Sequence, residues 1–280
     1  MRERWLRLRK CLCHRSLTVA APLQVHAGWY SLVNESYRQR VIREKLARSE
    51  PSRQLTLPTC FRVLDAATGG LPRGGIVELF GGAATGKTTL ALQITAHVQA
   101  AGGSVVWIDA EHCLDATYAI RLGVTMDRLP VAQPDSAEEA LEVLRRLAES
   151  AAVDLLVVDS AAALVPQIEL EAGIGTSGAG LHSRVLASGL RRLAAAIRRS
   201  GAVALFLNQT RARGTSDDDD SETAAGGPSL KLFAAMRIAL RGTPQRRGSV
   251  VLKVLKNKAG GPPAECELEW KDDVGFTEGP

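Results

Sequence analysis

From Cys60 onward, short apolar runs alternate with longer segments in which apolar residues recur at helical spacing. Ile76–Phe80, Val105–Asp109, Leu155–Asp159 and Val203–Asn208 are nearly unbroken apolar runs, the pattern of strands buried on both faces of a parallel sheet. Between them, Ala137, Ala140, Leu141, Leu144, Leu147 and Ala148 share one helical face, and Asp135 with Glu138 predicts a capping box at its start. Ser183–Arg199 repeats the pattern, with Leu186, Leu190, Leu193 and Ile197 inward and arginines outward, and a further amphipathic helix is expected from Thr89-Leu-Ala-Leu-Gln. Alternation of this kind predicts an α/β fold: a central, mostly parallel sheet with helices on both faces. Met236–Leu240, Val250–Lys256 and Glu265–Trp270 follow with Gly/Pro turns and no long helix between them, which predicts antiparallel strands at the C-terminal end of the sheet. Glu169–Gly180, rich in glycine, and Arg211–Gly227, polar and containing Asp217 to Asp220, interrupt the order; long loops of this kind are functional or disordered.

Upstream of Cys60 the texture differs. Residues 1–33 read as irregular, Glu35–Arg48 carries a weak helical stripe of Tyr37, Val41 and Leu46, and Pro51 and Pro58 bound a linker. A basic arm over residues 1–53, with a helix at 35–48, and one main domain over 54–280 are expected from 280 residues of which 45% are hydrophobic. Charge separates the two regions: residues 1–53 hold twelve Lys and Arg against four Asp and Glu, whereas 54–280 hold 23 against 26. Such an arm suits a phosphate backbone, an anionic lipid surface or plain solvation, and charge alone does not choose. Five scattered cysteines without a C-x-x-C pair disfavour a disulfide framework and a zinc ribbon. No apolar run approaches the length of a membrane span and no clean leader is present, so the expected compartment is the cytoplasm, with no membrane partner.

The chemistry concentrates after the first of the long strands. Gly81, Gly82, Ala83, Ala84, Thr85, Gly86, Lys87 and Thr88 fit G-x-x-x-x-G-K-[ST], and the motif lies between a strand and a helix that continues with Thr89, the context it requires. Glycines let backbone N–H groups turn inward around a phosphate, and the following helix adds the positive end of its dipole. Lys87 can reach β- and γ-phosphates and the Thr88 hydroxyl can ligate Mg²⁺, so the expected ligands are ATP and Mg²⁺. Asp159, closing Leu155-Leu-Val-Val-Asp, is the expected carboxylate on the metal side. Hydrolysis also needs a group that positions or deprotonates the attacking water, and both Asp109 and Glu111 of Ile108-Asp-Ala-Glu qualify by their place at a strand end. Asn208 and Gln209 close another strand with amides able to bond a γ-phosphate.

Taken together, Gly70-Leu-Pro-Arg-Gly74, the phosphate loop, Ile108-Asp-Ala-Glu-His112, Val158-Asp-Ser-Ala-Ala162, Asn208-Gln209 and Val254-Leu-Lys-Asn-Lys258 resemble bacterial RecA recombinases in content and order, over roughly Cys60 to Trp270. The resemblance implies that Glu111 activates the water, that Asp115 and Tyr118 contact adenine, and that Gln209 reports the γ-phosphate to a DNA-binding loop. It implies that Lys256 and Lys258 reach into the ATP site of the next subunit of a filament. It places Arg184, Arg191, Arg211, Arg213, Gly226 and Gly227 at positions that bind single-stranded DNA, and arginines beside glycine N–H groups suit a phosphate backbone. Some features depart from the family. Ala179 stands at the first loop tip, neither Phe nor Met lies between Thr210 and Gly227, and Asp217 to Asp220 place like charge where DNA would lie. A missing stacking partner forfeits ~1–3 kcal/mol per base, so altered DNA binding is expected. The arm has no close match to the family's subunit-docking helix and strand, and with Pro280 the chain is expected to lack the family's separate C-terminal domain. The leading expectation is therefore a DNA-dependent ATPase of repair and recombination. The alternatives are an accessory factor similar to ImuA proteins, binding a translesion polymerase or a recombinase in damage-induced mutagenesis, and a regulatory ATPase of the circadian-clock or RadA kind.

Overall fold

The computed structural model describes residues 55–172, 180–211, 223–224, 228–243, 248–261 and 264–279. The basic arm with its expected helix at 35–48, the first loop tip at Ala179, the acidic run Asp217–Asp220, and Arg213, Gly226 and Gly227 lie outside them.

A small pair, β1 (Thr56–Leu57) and β2 (Leu71–Pro72), brackets helix α1 (Arg62–Thr68). The chain then enters a large mixed sheet through β3 (Ile76–Gly81), α2 (Lys87–Ala100), β4 (Val105–Asp109), α3 (Ala116–Arg121) and β5 (Val131–Ala132). It continues through α4 (Ala137–Glu149), β6 (Leu155–Asp159), α5 (Gln167–Glu171), α6 (Leu181–Ser200), β7 (Val203–Arg211) and β8 (Thr223–Ala224). The last elements are α7 (Pro228–Phe233), β9 (Met236–Gly242), β10 (Ser249–Asn257), β11 (Ala264–Lys271) and β12 (Gly275–Glu278). The strand order is β12-β11-β10-β9-β3-β7-β6-β4-β5, with β8 beside β7. From β9 to β5 the neighbours are parallel, and from β10 to β12 they are antiparallel.

The period-2 pleat sorts each parallel strand between two cores. Val77, Leu79, Trp107, Leu155, Val157 and Leu205 face α2, whereas Ile76, Val106, Ile108, Leu156, Val158 and Phe206 face α4 and α6. Burial on both faces explains why β4 and β6 occupy the spans that their apolar runs predict.

Other features differ from the sequence reading, each for a physical reason. The helix after the phosphate loop is not amphipathic: Leu90, Ala91, Leu92, Ile94, Thr95 and Val98 of α2 are all buried. The sheet covers one side of it, and β12 with the α3 region covers the other. The cap of α4 sits one residue later than Asp135 and Glu138. Ser136 Oγ accepts from the Glu139 N–H at 3.2 Å, and Glu139 reaches back to the Asp135 N–H at 3.0 Å, because Asp135 lies outside the helix. Met236–Leu240 belongs to β9, which is parallel to β3; the short helix α7 makes the crossover, so the antiparallel run begins only at β10. The two interruptions are shorter than their sequence texture suggests. Glu169–Glu171 falls in α5, and Arg211 pairs with Thr223 across β7 and β8.

Candidate functional site

The candidate site lies at the C-terminal ends of β3, β4, β6 and β7, where a parallel sheet presents its ligand-binding edge. Gly81 ends β3 so close to β9 that a Cβ would stand 2.3 Å from the Leu240 carbonyl oxygen; only glycine fits. At the other end of the loop Gly86 takes φ +85° as the N-cap of α2, and a Cβ there would meet the Phe276 ring at 2.4 Å. Between them Thr85 Oγ1 donates to the Gly82 carbonyl at 3.0 Å, and Ala83 and Ala84 are exposed. The Lys87 ammonium is tucked over the loop, donating to the carbonyls of Gly82 at 2.6 Å and Gly81 at 3.1 Å. Burial holds its pKa below the usual lysine value, against the pull of Asp159 and Glu111.

The next residue, Thr88, donates from Oγ1 to Asp159 Oδ2 at 2.9 Å. Burial pushes the Asp159 carboxyl up to about 6, the Thr88 hydrogen bond opposes this, and Glu111 and Asp109 add repulsion. A hydroxyl and a desolvated carboxylate in contact at the foot of a phosphate loop form a hard-oxygen donor pair that suits Mg²⁺. Because the folded pKa lies above the ordinary value of 3.8, native Asp159 binds its proton more tightly than the unfolded chain does, and stability falls as pH rises through that window. Asp159→Asn is therefore expected to raise the unfolding free energy at pH 7.5 by about 1–2 kcal/mol after allowance for partial exposure, with a higher melting temperature, and to lose the gain near pH 4. Thermal melts at the two pH values check it.

Asp109 and Glu111 differ in where each carboxylate points. Asp109 is buried and accepts from the N–H groups of Cys113 and Leu114, both at 3.2 Å, and from Gln133 Nε2 at 2.9 Å, which occupies it in shaping the turn after β4. Glu111 is exposed and lines the cleft: its Oε1 accepts from Ser160 Oγ at 2.5 Å and from Gln209 Nε2 at 3.3 Å. The N–H groups of Ala110 and Glu111 donate to the Asp159 carbonyl, locking the ends of β4 and β6 together. Glu111, Ser160, Asp159, Lys87 and Gln209 thus share one cleft of about 820 Å³.

The far wall of that cleft comes from the antiparallel end of the sheet, through Thr243, Ser249, Trp270 and Phe276. Trp270 and Phe276 meet edge to face with ring centres 5.7 Å apart. Gln93 of α2 fastens the strand, donating to the Phe276 carbonyl and accepting its N–H, both at 2.9 Å. Sequence reasoning missed Ser160, Trp270 and Phe276. A tryptophan closing a strand was the available signal for one of them.

Several expected residues stand apart from this cleft. Asp115 caps α3, accepting from the N–H groups of Thr117 and Tyr118. Tyr118 is half-buried, its hydroxyl 2.9 Å from Thr89 Oγ1 on the first turn of α2, with the Arg121 guanidinium over its ring. Lys256 donates to the Lys231 and Leu232 carbonyls at the end of α7, and its pKa is held down by burial and then by Lys258 and Arg237. Lys258 follows β10, its N–H bonded to the Ala235 carbonyl. Neither lysine lines the cleft. Arg184 and Arg191 are exposed on α6, opposite its buried leucines, and β7 carries Gln209 in the cleft and then Arg211. Among the described residues no cluster of three His, Cys, Asp or Glu could hold a metal, and no helix is long and apolar enough to cross a membrane.

Comparison with known proteins bears on this arrangement. The family model for the RecA N-terminal domain matches residues 32–276, a span that includes residues 35–48. Protein RecA of Bacillus licheniformis is 41% identical over 244 residues, covering 84% of this chain and 69% of that protein. Protein RecA of Thermus thermophilus is 45% identical over 230 residues, covering 78% and 68%, and that of Caulobacter vibrioides is 44% identical over 218 residues, covering 75% and 60%.

Proposed function

From the premise that the chain belongs to the RecA family, we propose that it is a recombinase-type ATPase of DNA repair and homologous recombination, stimulated by single-stranded DNA and assembled as a cytoplasmic filament. The observation that carries the reading is the hydrogen bond from Gln209 to Glu111 inside the phosphate-loop cleft, on a strand that leaves the cleft toward Arg211. One residue chain then touches both the site of phosphate chemistry and the segment proposed to meet DNA.

In this reading the phosphate-loop N–H groups and Lys87 hold the β- and γ-phosphates, Thr88 and Asp159 hold Mg²⁺, and Tyr118 with Asp115 flank the base. When bound, the metal screens the phosphate charge. Glu111 orients a water whose oxygen attacks the γ-phosphorus; the bridging P–O bond breaks, ADP departs with the electron pair, and the water's proton passes to Glu111 or to the released phosphate. Gln209 exchanges its Glu111 partner for the γ-phosphate and moves the strand end that carries Arg211. Lys256 and Lys258, remote from their own cleft, complete the site of a neighbouring subunit. Arg184, Arg191, Arg211 and Arg213, with the N–H groups of Gly226 and Gly227, meet the DNA backbone.

Steady-state ATP hydrolysis with and without single-stranded DNA tests this directly. The expected result is stimulation that fades as salt rises from 50 to about 200 mM, because each phosphate contact releases counterions. Hydrolysis indifferent to DNA would reject the reading and favour the accessory role, with a polymerase or recombinase as partner.

A further inference from the structure

Glu78 interrupts the apolar run of β3, is fully buried, and takes no part in the cleft. It stands directly opposite Arg237 in the parallel β3–β9 ladder, and Arg237 Nε donates to Glu78 Oε2 at 2.6 Å. The same guanidinium lies 4.4 Å from the centre of the Phe80 ring, so the charge is enclosed on that side as well. The other carboxylate oxygen, Oε1, accepts from Asn208 Nδ2 at 2.8 Å. Asn208, also fully buried, turns its own Oδ1 to accept the Gln209 N–H at 3.0 Å.

Arg237 is in turn the register partner of Lys256 across β9 and β10, at a bulge between Val254 and Lys256. An extra residue there sets the direction of the lysine, and two like charges directly opposite one another repel unless a counter-charge intervenes. Glu78 is that counter-charge. Lys256, Arg237, Glu78, Asn208, Gln209 and Glu111 therefore form one continuous series from β10, through the buried centre of the sheet, to the exposed carboxylate of the cleft. An ion pair replaced by apolar residues of similar volume often leaves a fold no less stable, so burial of this pair is weak evidence of a purely stabilising role.

We propose that Glu78 is a positioning residue that couples the cleft end of β7, where Gln209 contacts Glu111, to the β9–β10 edge that carries Lys256. The proposal rests on the functional reading above and deepens it: nucleotide state at one subunit's cleft reaches the face offered to its neighbour through Glu78. Coupling of this kind is measured as a ratio of affinities. In the full-length protein, the Kd for a fluorescent single-stranded oligonucleotide is measured with ADP and with a non-hydrolysable ATP analogue, alongside nucleotide affinity and DNA-stimulated kcat.

Asn208→Ala cuts the link on one side and leaves the ion pair intact. The Glu78→Leu/Arg237→Leu double variant removes the link without stranding a charge. Both are expected to bind nucleotide within about 2-fold of wild type, while the ADP-to-analogue ratio collapses toward one and kcat falls about tenfold. Glu78→Asp, which keeps the counter-charge to Arg237 and an oxygen able to accept from Asn208, is expected to recover part of the ratio. Wild-type ratios in Asn208→Ala or in the double variant would overturn the proposal, as would parallel loss of nucleotide binding, ratio and melting temperature in all three. Wild-type protein whose hydrolysis ignores DNA would reject the functional reading itself, and the proposal with it.

Discussion

Lys87→Ala is expected to reduce ATP hydrolysis at least about 10³-fold and to weaken nucleotide binding. The ammonium is the one cation among the described residues that lines the cleft, and preorganised charge at a transferring phosphoryl group carries a large share of the barrier reduction. Its present partners, the carbonyls of Gly81 and Gly82, are groups it can exchange for phosphate oxygens without leaving the loop. Global unfolding is a competing explanation of any such loss, and the direction of the Lys87 pKa separates the two. Burial lowers that pKa, so the charged form is disfavoured in the native state, and the cost is present below the folded value and relieved as pH rises through it. Lys87→Met, which retains the stem and removes the charge, is accordingly expected to melt at or above the wild-type temperature at neutral pH while remaining as inactive as Lys87→Ala. Calorimetric melting beside single-turnover hydrolysis checks both halves. A variant that unfolds early would show that the lysine serves the loop rather than the phosphate.

How much of this was legible before the structure depends on how local each feature is. The phosphate loop is eight consecutive residues whose conformation follows from its own glycines and the helix after it, and it reads directly from sequence. The apolar runs of β4 and β6 end on Asp109 and Asp159, the last residues of the two strands, so both strand ends read directly from sequence. Periodicity failed at α2, where two layers bury the helix and no polar face remains to give it a period. It also could not separate Asp109 from Glu111, two residues apart on one turn. What separates them is Gln133 from one element and Ser160 and Gln209 from two others, a matter of tertiary placement. Trp270 and Phe276 reach the cleft only because β10, β11 and β12 fold back beside β9, which no local pattern specifies. Glu78 is the clearest case. In sequence it is a blemish in an apolar run, and its meaning appears only with Arg237 and Asn208, more than a hundred residues away.

Glu111→Gln is expected to lower kcat about 10²–10⁴-fold while changing nucleotide affinity little, the range for loss of a positioned general base. Glu111 is exposed in the cleft and carries the same sign of charge as the phosphates, so its contribution to binding the ground state is small compared with that of Lys87. The substitution keeps the shape of the side chain and an oxygen to accept from Ser160 and Gln209, which isolates the charge from the geometry. It also removes one of the negative charges that add to burial in raising the Asp159 carboxyl to about 6. Asp159 should then ionise at lower pH, and the acid side of the Mg²⁺-dependent nucleotide-binding profile should move downward even as turnover is lost. Binding separates the two possible roles. A carboxylate that only bound metal would weaken Mg²⁺-nucleotide affinity when neutralised, whereas one that acts on water leaves binding intact and slows the chemical step. Equilibrium titration of a fluorescent ATP analogue across pH 5–8, set beside single-turnover hydrolysis, distinguishes them, and loss of binding in proportion to loss of kcat would remove Glu111 from the catalytic role.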